Sequence, residues 1–276
     1  MRFAFLADMQ LGAYASFSGL TDDDVARYSD ELGMTVRPVP ATTGHEWDAA
    51  RYDEAVRAVN ALRPDFVMIG GDMVDDPNSE DQYDEFMRIT SRVDAAIPVH
   101  WVPGNHDVAA DTVVPTPESL TRYRAAFGSD YYSFTVGPLQ IIALNTVVID
   151  HPEQVPGEWE AQLAFLQDEL EGAARAGCRV VLAGHHPLFK HHPDEEDDYW
   201  NLPRERRRVV VELARRHRVP MALAGHWHRN SEAAAGDLQM ITTGAVGYPL
   251  GADPSGFRVV DFADGALTHR YVPLGV

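Results

Sequence analysis

The chain reads as an α/β fold. Short apolar runs alternate with longer stretches of helical period, the pattern of parallel strands joined by helices. Several runs, such as Phe66-Val67-Met68-Ile69, are apolar throughout rather than at every second residue, as expected of strands covered on both faces. Five runs also end on one phrase, a small residue followed by a side chain that can bind a metal. They are Ala7-Asp8, Gly71-Asp72, Gly104-Asn105, Gly184-His185 and Gly225-His226. In open α/β sheets, ligands bind beyond the carboxyl ends of the strands, where small residues let chains converge.

In chain order, residues 3–7 form the first strand. Residues 12–46 lack a clear period, are rich in Ser, Thr, Asp and Pro, and read as a long surface insertion with at most a short helix. A helix follows over 47–62, where Ala55, Val56, Val59 and Leu62 repeat at helical spacing until Arg63-Pro64 stops it. Residues 66–69 are a strand. Residues 80–93 are a helix with Tyr83, Phe86, Met87 and Ile89 facing inward. Residues 99–102 are a strand running into Gly104-Asn105-His106-Asp107. Thr116, Pro117 and Gly128 bracket a helix over 117–127 as N-cap, first residue and stop.

Residues 131–136 and 139–144 form a hairpin across Gly137-Pro138. Residues 158–176 form a helix whose core face is Trp159, Leu163, Leu166 and Leu170, with Gly177 past its end. Strands at 179–183 and 220–224 flank a basic helix at 203–217. Three more strands, 238–243, 257–262 and 266–272, finish the chain.

The 276 residues include 42 acidic against 23 basic side chains, a formal net charge of −19. That balance excludes the basic footprint of a nucleic-acid binder and suits binding of divalent cations. The single cysteine, Cys178, rules out an intrachain disulfide and suits a reducing compartment. It precedes a strand and reads as a small core residue. The apolar start is cut short by Asp8, and no stretch reaches the roughly 20 apolar residues that span a bilayer. The expectation is a cytoplasmic protein without a membrane partner. Length alone allows about two domains. The candidate ligands nevertheless run from Asp8 to His228, so residues 1–276 are read as a single domain, with an insertion at 12–46 and an acidic rim loop at 188–202.

His226 and His228 alternate by two, as do Asp8 and Gln10, so each pair points one way from an extended segment. Asp72 has two oxygens and can bridge two ions. Two divalent ions against Asp8 and Asp72 leave about two positive charges, which suits an anionic substrate. His106 can transfer a proton near neutral pH, and Asp107 beside it can orient the imidazole.

These motifs resemble those of the calcineurin-like metallophosphoesterases. They are matched in order by Asp8-Met9-Gln10, Gly71-Asp72, Gly104-Asn105-His106-Asp107, His185-His186-Pro187 and Gly225-His226-Trp227-His228. The resemblance implies a four-layer α/β/β/α sandwich and two metal ions, one held by Asp8, Gln10, Asp72 and His228, the other by Asp72, Asn105, His185 and His226. It implies hydrolysis of a phosphoester by in-line attack of a metal-bridging hydroxide, with His106 as general acid. The chain departs from the pattern at Gln10, where the family usually has His; an amide oxygen favours manganese over zinc or iron.

Further features resemble the subgroup of complete serine/threonine-protein phosphatases. They are the Asp-x-Gln opening, the segment 194–202, Arg229-Asn230 after His228, and Gly247-Tyr248-Pro249-Leu250-Gly251. They imply a phosphorylated small molecule or protein as substrate and make Tyr199, Asn201 and Arg229 candidate substrate contacts. The alternatives are a nucleotide phosphodiesterase and a metal-stabilised interaction module without catalysis. His186 is left out of the ligand set, and His191 and His192 read as solvated loop residues. Arg204, Arg206, Arg207 and Arg208 read as a helix surface paired with Glu205 and Glu212.

Overall fold

Strand β1 (Arg2–Leu6) sends Phe3 and Phe5 to one face and Ala4 and Leu6 to the other, and all four are buried. Such a strand must be covered on both sides. The computed structural model, which describes residues 1–33, 35–37, 39–109 and 114–275 and no side chain at 31 or 32, supplies both covers. Met34 and Pro38 of the expected insertion, and Val276 of the expected domain, lie outside the described residues.

In one sheet β1 lies beside β2 (Phe66–Ile69), β3 (Val99–Trp101), β10 (Gly256–Ala263) and β11 (Ala266–Pro273), in the order β11-β10-β1-β2-β3. The second sheet contains β4 (Tyr132–Val136), β5 (Leu139–Ala143), β6 (Arg179–Ala183), β7 (Met221–Ala224), β8 (Ser231–Ala235) and β9 (Leu238–Thr242), ordered β4-β5-β6-β7-β9-β8. β1, β2 and β3 are mutually parallel, as are β5, β6, β7 and β9. The two sheets pack through an apolar layer in which Phe3, Phe5 and Met68 meet Ile141, Val181 and Leu223.

Helices close the outside. On the first sheet, α3 (Glu46–Leu62) buries Ala55, Val56 and Val59 against Leu6 and Val67, beside α4 (Glu80–Thr90) and α6 (Pro117–Phe127). On the second, α8 (Glu158–Ala176) and α9 (Arg204–Arg216) bury Leu166, Leu170 and Val210 against Ile142 and Leu182. The layers are therefore helix, sheet, sheet, helix, as the resemblance implied. Thr116 caps α6 by accepting from the Ser119 N–H at 3.2 Å, and Gly177 ends α8 with φ 73°. Among the described residues no helix is long and apolar enough to cross a membrane.

Four local readings need correction. The insertion carries two helices, α1 (Ala13–Ser16) and α2 (Asp22–Leu32). The acidic run Asp22-Asp23-Asp24 is the first turn of α2, capped reciprocally by Thr21 and Asp24, where the helix dipole favours negative charge. Met87 is 44% exposed, because α4 turns only Phe86, Ile89 and Thr90 fully inward. β8 had no signal, since Ser-Glu-Ala-Ala-Ala lacks the bulky residues of a strand. Arg207 and Arg208 pair with the acidic loop rather than with Glu205 and Glu212, and Arg206 donates to the Ile149 and Asp150 carbonyls: Arg208 meets Asp194 at 3.1 Å, the fully buried Arg207 reaches the Glu195 carbonyl and Asp197, and Glu212 takes Arg216 at 2.9 Å instead.

One buried carboxyl fixes the start of the insertion. Asp48 on α3 accepts the N–H groups of Gly12 and Tyr14 at 3.0 and 3.3 Å, and burial pushes it up to about 8. A raised folded pKa means that stability present at low pH is lost as pH rises from the unfolded value through about 8. Asp48→Asn is expected to flatten that slope. Urea denaturation at pH 5 and pH 8 checks it, and an equal slope in wild type and variant contradicts it.

Candidate metal centre

All five phrases end at the same edge of the sandwich. Asp8, Asp72 and Asn105 follow β1, β2 and β3; His185 and His226 follow β6 and β7. The loops are stitched across the sheets. Gly247 N–H donates to the Asp8 carbonyl at 2.9 Å, and His226 N–H to the Asp8 carboxylate at 3.0 Å. A side chain at Gly104 would collide with Asp72, and one at Gly71, whose φ is 90°, would stand 2.6 Å from the His185 ring. Small residues are thus required by convergence.

Of the eight described non-glycine residues at positive φ, five are Asp8, Gln10, Asp72, His226 and His228. Strain of order 1–3 kcal/mol per residue persists only where the surroundings over-determine it. Its concentration here separates a built site from ordinary turns.

The ligand-capable atoms fall into two sets, Asp8 with Asp72 and His228, and Asp72 with His185 and His226, the atoms within each lying within 4.8 Å of one another. Asp72 belongs to both. Backbone carbonyls set the tautomers, because a carbonyl can only accept. His185 Nδ1 faces the Gly70 carbonyl at 2.8 Å and His228 Nδ1 the Tyr248 carbonyl at 2.5 Å, so each leaves Nε2 free. His226 is reversed: its Nε2 faces the Tyr199 carbonyl at 2.8 Å, leaving Nδ1. Asn105 Oδ1 lies 3.1 Å from His185 Nε2.

Gln10 passes a direct test of fit. Its Nε2 donates to Asp75 Oδ1 at 2.9 Å, while its buried Oε1 has no hydrogen-bond partner. An orphaned buried acceptor is costly unless a cation meets it. Flipping the amide would set Oε1 against the Asp75 carboxylate, so Asp75 holds the oxygen free.

The electrostatics follow from burial and crowding. Burial opposes charge on His185, but Asp72 and Asp8 outweigh it and raise the ring to about 9. Burial and the neighbouring His185 push His226 down to about 3. For Asp72, burial works against the carboxylate, yet His185 and His106 hold it below its usual range. At pH 7 metal uptake is therefore expected to release a proton from His185. Calorimetry in buffers of different ionisation enthalpy measures this, and a release of none contradicts it.

His106 sits beside this pair on α5 (Asn105–Val108). Its N–H donates to Asp72 Oδ1 at 2.9 Å, and its Nδ1 donates to the Asp75 carbonyl at 2.7 Å, while its Nε2 lies 3.2 Å from Gln10 Nε2. Burial opposes its charge, but Asp72 and Asp75 raise its pKa. The expectation that Asp107 orients this ring fails. Asp107 instead accepts the N–H groups of Gly104, Asp72 and Met73 at 2.7, 2.9 and 3.0 Å, clamping the loop that carries Asp72.

Of the three candidate substrate contacts, Tyr199 lines the cavity at the site. Asn201 is engaged inside its own loop, donating to Glu195 and to the Glu196 carbonyl at 2.7 and 3.0 Å. Arg229 donates to the carbonyls of Leu250 and Gly33 at 2.7 and 2.6 Å and braces the insertion. Two positioning residues escaped the sequence reading. Asp75 lies three residues past Asp72. Thr146, at the start of α7 (Thr146–Asp150), accepts the N–H groups of His185 and His186 at 3.0 and 2.8 Å.

Two ligand sets share one aspartate at the strand ends of a four-layer sandwich, an arrangement that suits a pair of metal ions. The chain belongs to the calcineurin-like phosphoesterase family, whose pattern matches residues 1–230. It is 32% identical to the serine/threonine-protein phosphatase CPPED1 of Danio rerio over 93% of this chain and 89% of that protein. To the Homo sapiens protein of the same name it is 33% identical, over 84% of this chain and 76% of the relative. Among solved structures, a dimetal phosphatase from Danio rerio superposes with a TM-score of 0.65 at 16% identity, covering 98% of this chain and 95% of that one. A purple acid phosphatase from yellow lupin gives 0.62 at 13% identity, over 98% of this chain and 51% of that one.

Proposed function

We propose that the protein is a dimetal phosphomonoesterase. The sharing of Asp72 between two ligand sets carries this reading. Asp8, Gln10, Asp72 and His228 would hold one ion, and Asp72, Asn105, His185 and His226 the other. Such ions lower the pKa of a bound water and neutralise phosphoryl oxygens. The chain's own groups do the rest. Asp75 and Asp72 favour the protonated His106 ring, whose Nε2 carries a proton for the departing alkoxide oxygen. The phosphorus–oxygen bond to the alcohol breaks as water's oxygen bonds to phosphorus, giving inorganic phosphate and the free alcohol.

Serine/threonine-protein phosphatases among the relatives support a monoester substrate. Comparison of para-nitrophenyl phosphate with its bis-ester tests this: the monoester is expected to be hydrolysed faster, and dominance of the bis-ester would overturn the reading in favour of a phosphodiesterase.

Gln10 bears on metal choice. Three oxygens and one nitrogen around the first ion suit manganese better than zinc or iron. Stripped protein should be reactivated best by manganese, and Gln10→His should shift preference toward zinc or iron. Gln10→Ala is expected to weaken the first site; unchanged affinity on metal titration would remove Gln10 from the ligand set.

A further inference from the structure

The cavity over the site, about 280 Å³, has two unlike sides. Its floor is the ligand cluster with His106. Its wall is Phe17, Tyr199, Trp200 and Leu250, and no lysine or arginine is among its lining residues. Phe17 is stacked on Tyr248 with ring centroids 4.7 Å apart and planes 10° apart. Trp200, 7% exposed, meets Tyr199 edge-on at 4.8 Å, and both rings flank His226 at 5.4 and 5.0 Å. Phe17, Tyr199 and Trp200 are therefore held by ring-to-ring packing.

Three cationic side chains of the flanking segments, Arg229, Arg37 and Lys190, are committed elsewhere. Arg229 is bound to carbonyls of its own chain, as is Arg37, which donates to the Gly251 and Asp253 carbonyls; Lys190 pairs with Asp198. A second phosphate group would face apolar rings and the Asp75 carboxylate with no counter-charge. A flat apolar leaving group would gain aromatic contact and lose water-exposed area.

Building on the phosphomonoesterase reading, we infer that the substrate is a singly phosphorylated alcohol whose leaving group carries an aromatic ring close to the ester oxygen, seated against Phe17, Tyr199 and Trp200. The reaction is the hydrolysis already written, with the aromatic alcohol and inorganic phosphate as products.

The test separates ring recognition from leaving-group chemistry. 2-Phenylethyl phosphate and propyl phosphate release alkoxides of similar basicity. The manganese-loaded enzyme is expected to favour the former by about 10-fold or more in kcat/KM. Phe17→Ala should collapse that ratio and Phe17→Tyr preserve it. Binding is measured in parallel by calorimetry, with benzylphosphonate against propylphosphonate, neither of which is hydrolysed. Equal affinity for the two phosphonates, or a ratio unmoved by both Phe17→Ala and Tyr199→Ala, overturns the inference. Tighter binding of benzylphosphonate by a protein inert on every monoester would overturn the phosphomonoesterase reading and leave ring recognition standing.

Discussion

Asp72→Asn is expected to abolish tight binding of both metal ions and, with it, hydrolysis of every phosphoester. Asp72 is the only described residue common to the two ligand sets. The substitution keeps the size of the side chain and its Oδ1, the acceptor for the His106 N–H. It removes the negative charge that each set shares. Losing an outer partner of a ligand typically costs roughly 10–100-fold in affinity, and loss of a shared ligand's charge should cost more at both positions. Asn105→Ala and His226→Ala, by contrast, should impair one ion while the other still binds. Equilibrium dialysis with metal analysis measures the stoichiometry. Two ions retained by Asp72→Asn with wild-type affinity would contradict the shared role.

His106→Ala is expected to keep both ions and lose turnover, by roughly 10²–10⁴-fold, the usual range for a general acid. Its Nδ1 is tied to the Asp75 carbonyl, so Nε2, 3.2 Å from the Gln10 amide nitrogen, is the ring atom that would carry the transferred proton. The loss should be smaller for para-nitrophenyl phosphate, whose leaving group needs no proton, than for an alkyl phosphate. Equal losses on both would count against the acid role.

The convergence of Asp8, Asp72, Asn105, His185 and His226 was legible because each stands just past an apolar run, where a strand end must place it. The sandwich was legible in part through alternation, and its layering came from the ordered motifs. What escaped acts across space. Asp75 and Thr146 touch the site through hydrogen bonds between loops remote in sequence, and neither adjoins a ligand. Assigning Asp107 to His106 by adjacency failed for a geometric reason: both lie on the turn α5, where successive side chains diverge by about 100°. Arg207 looked like one of a surface row, yet the acidic loop folds over it and buries it completely. α2 was written in its capping box, Thr21 to Asp24, and in the helical spacing of Val25 and Tyr28, which pack with Tyr14 and Tyr248.

Two ions are expected to meet on Asp72, with the Gln10 amide oxygen turned toward the one that Asp8 and His228 would hold. Anomalous scattering from a manganese-loaded crystal, collected on both sides of the manganese edge, tests it most directly. Two anomalous peaks are expected to flank the Asp72 carboxylate, one bounded by Asp8, Gln10 and His228 and the other by Asn105, His185 and His226. A single peak, or two that do not share Asp72, would contradict it.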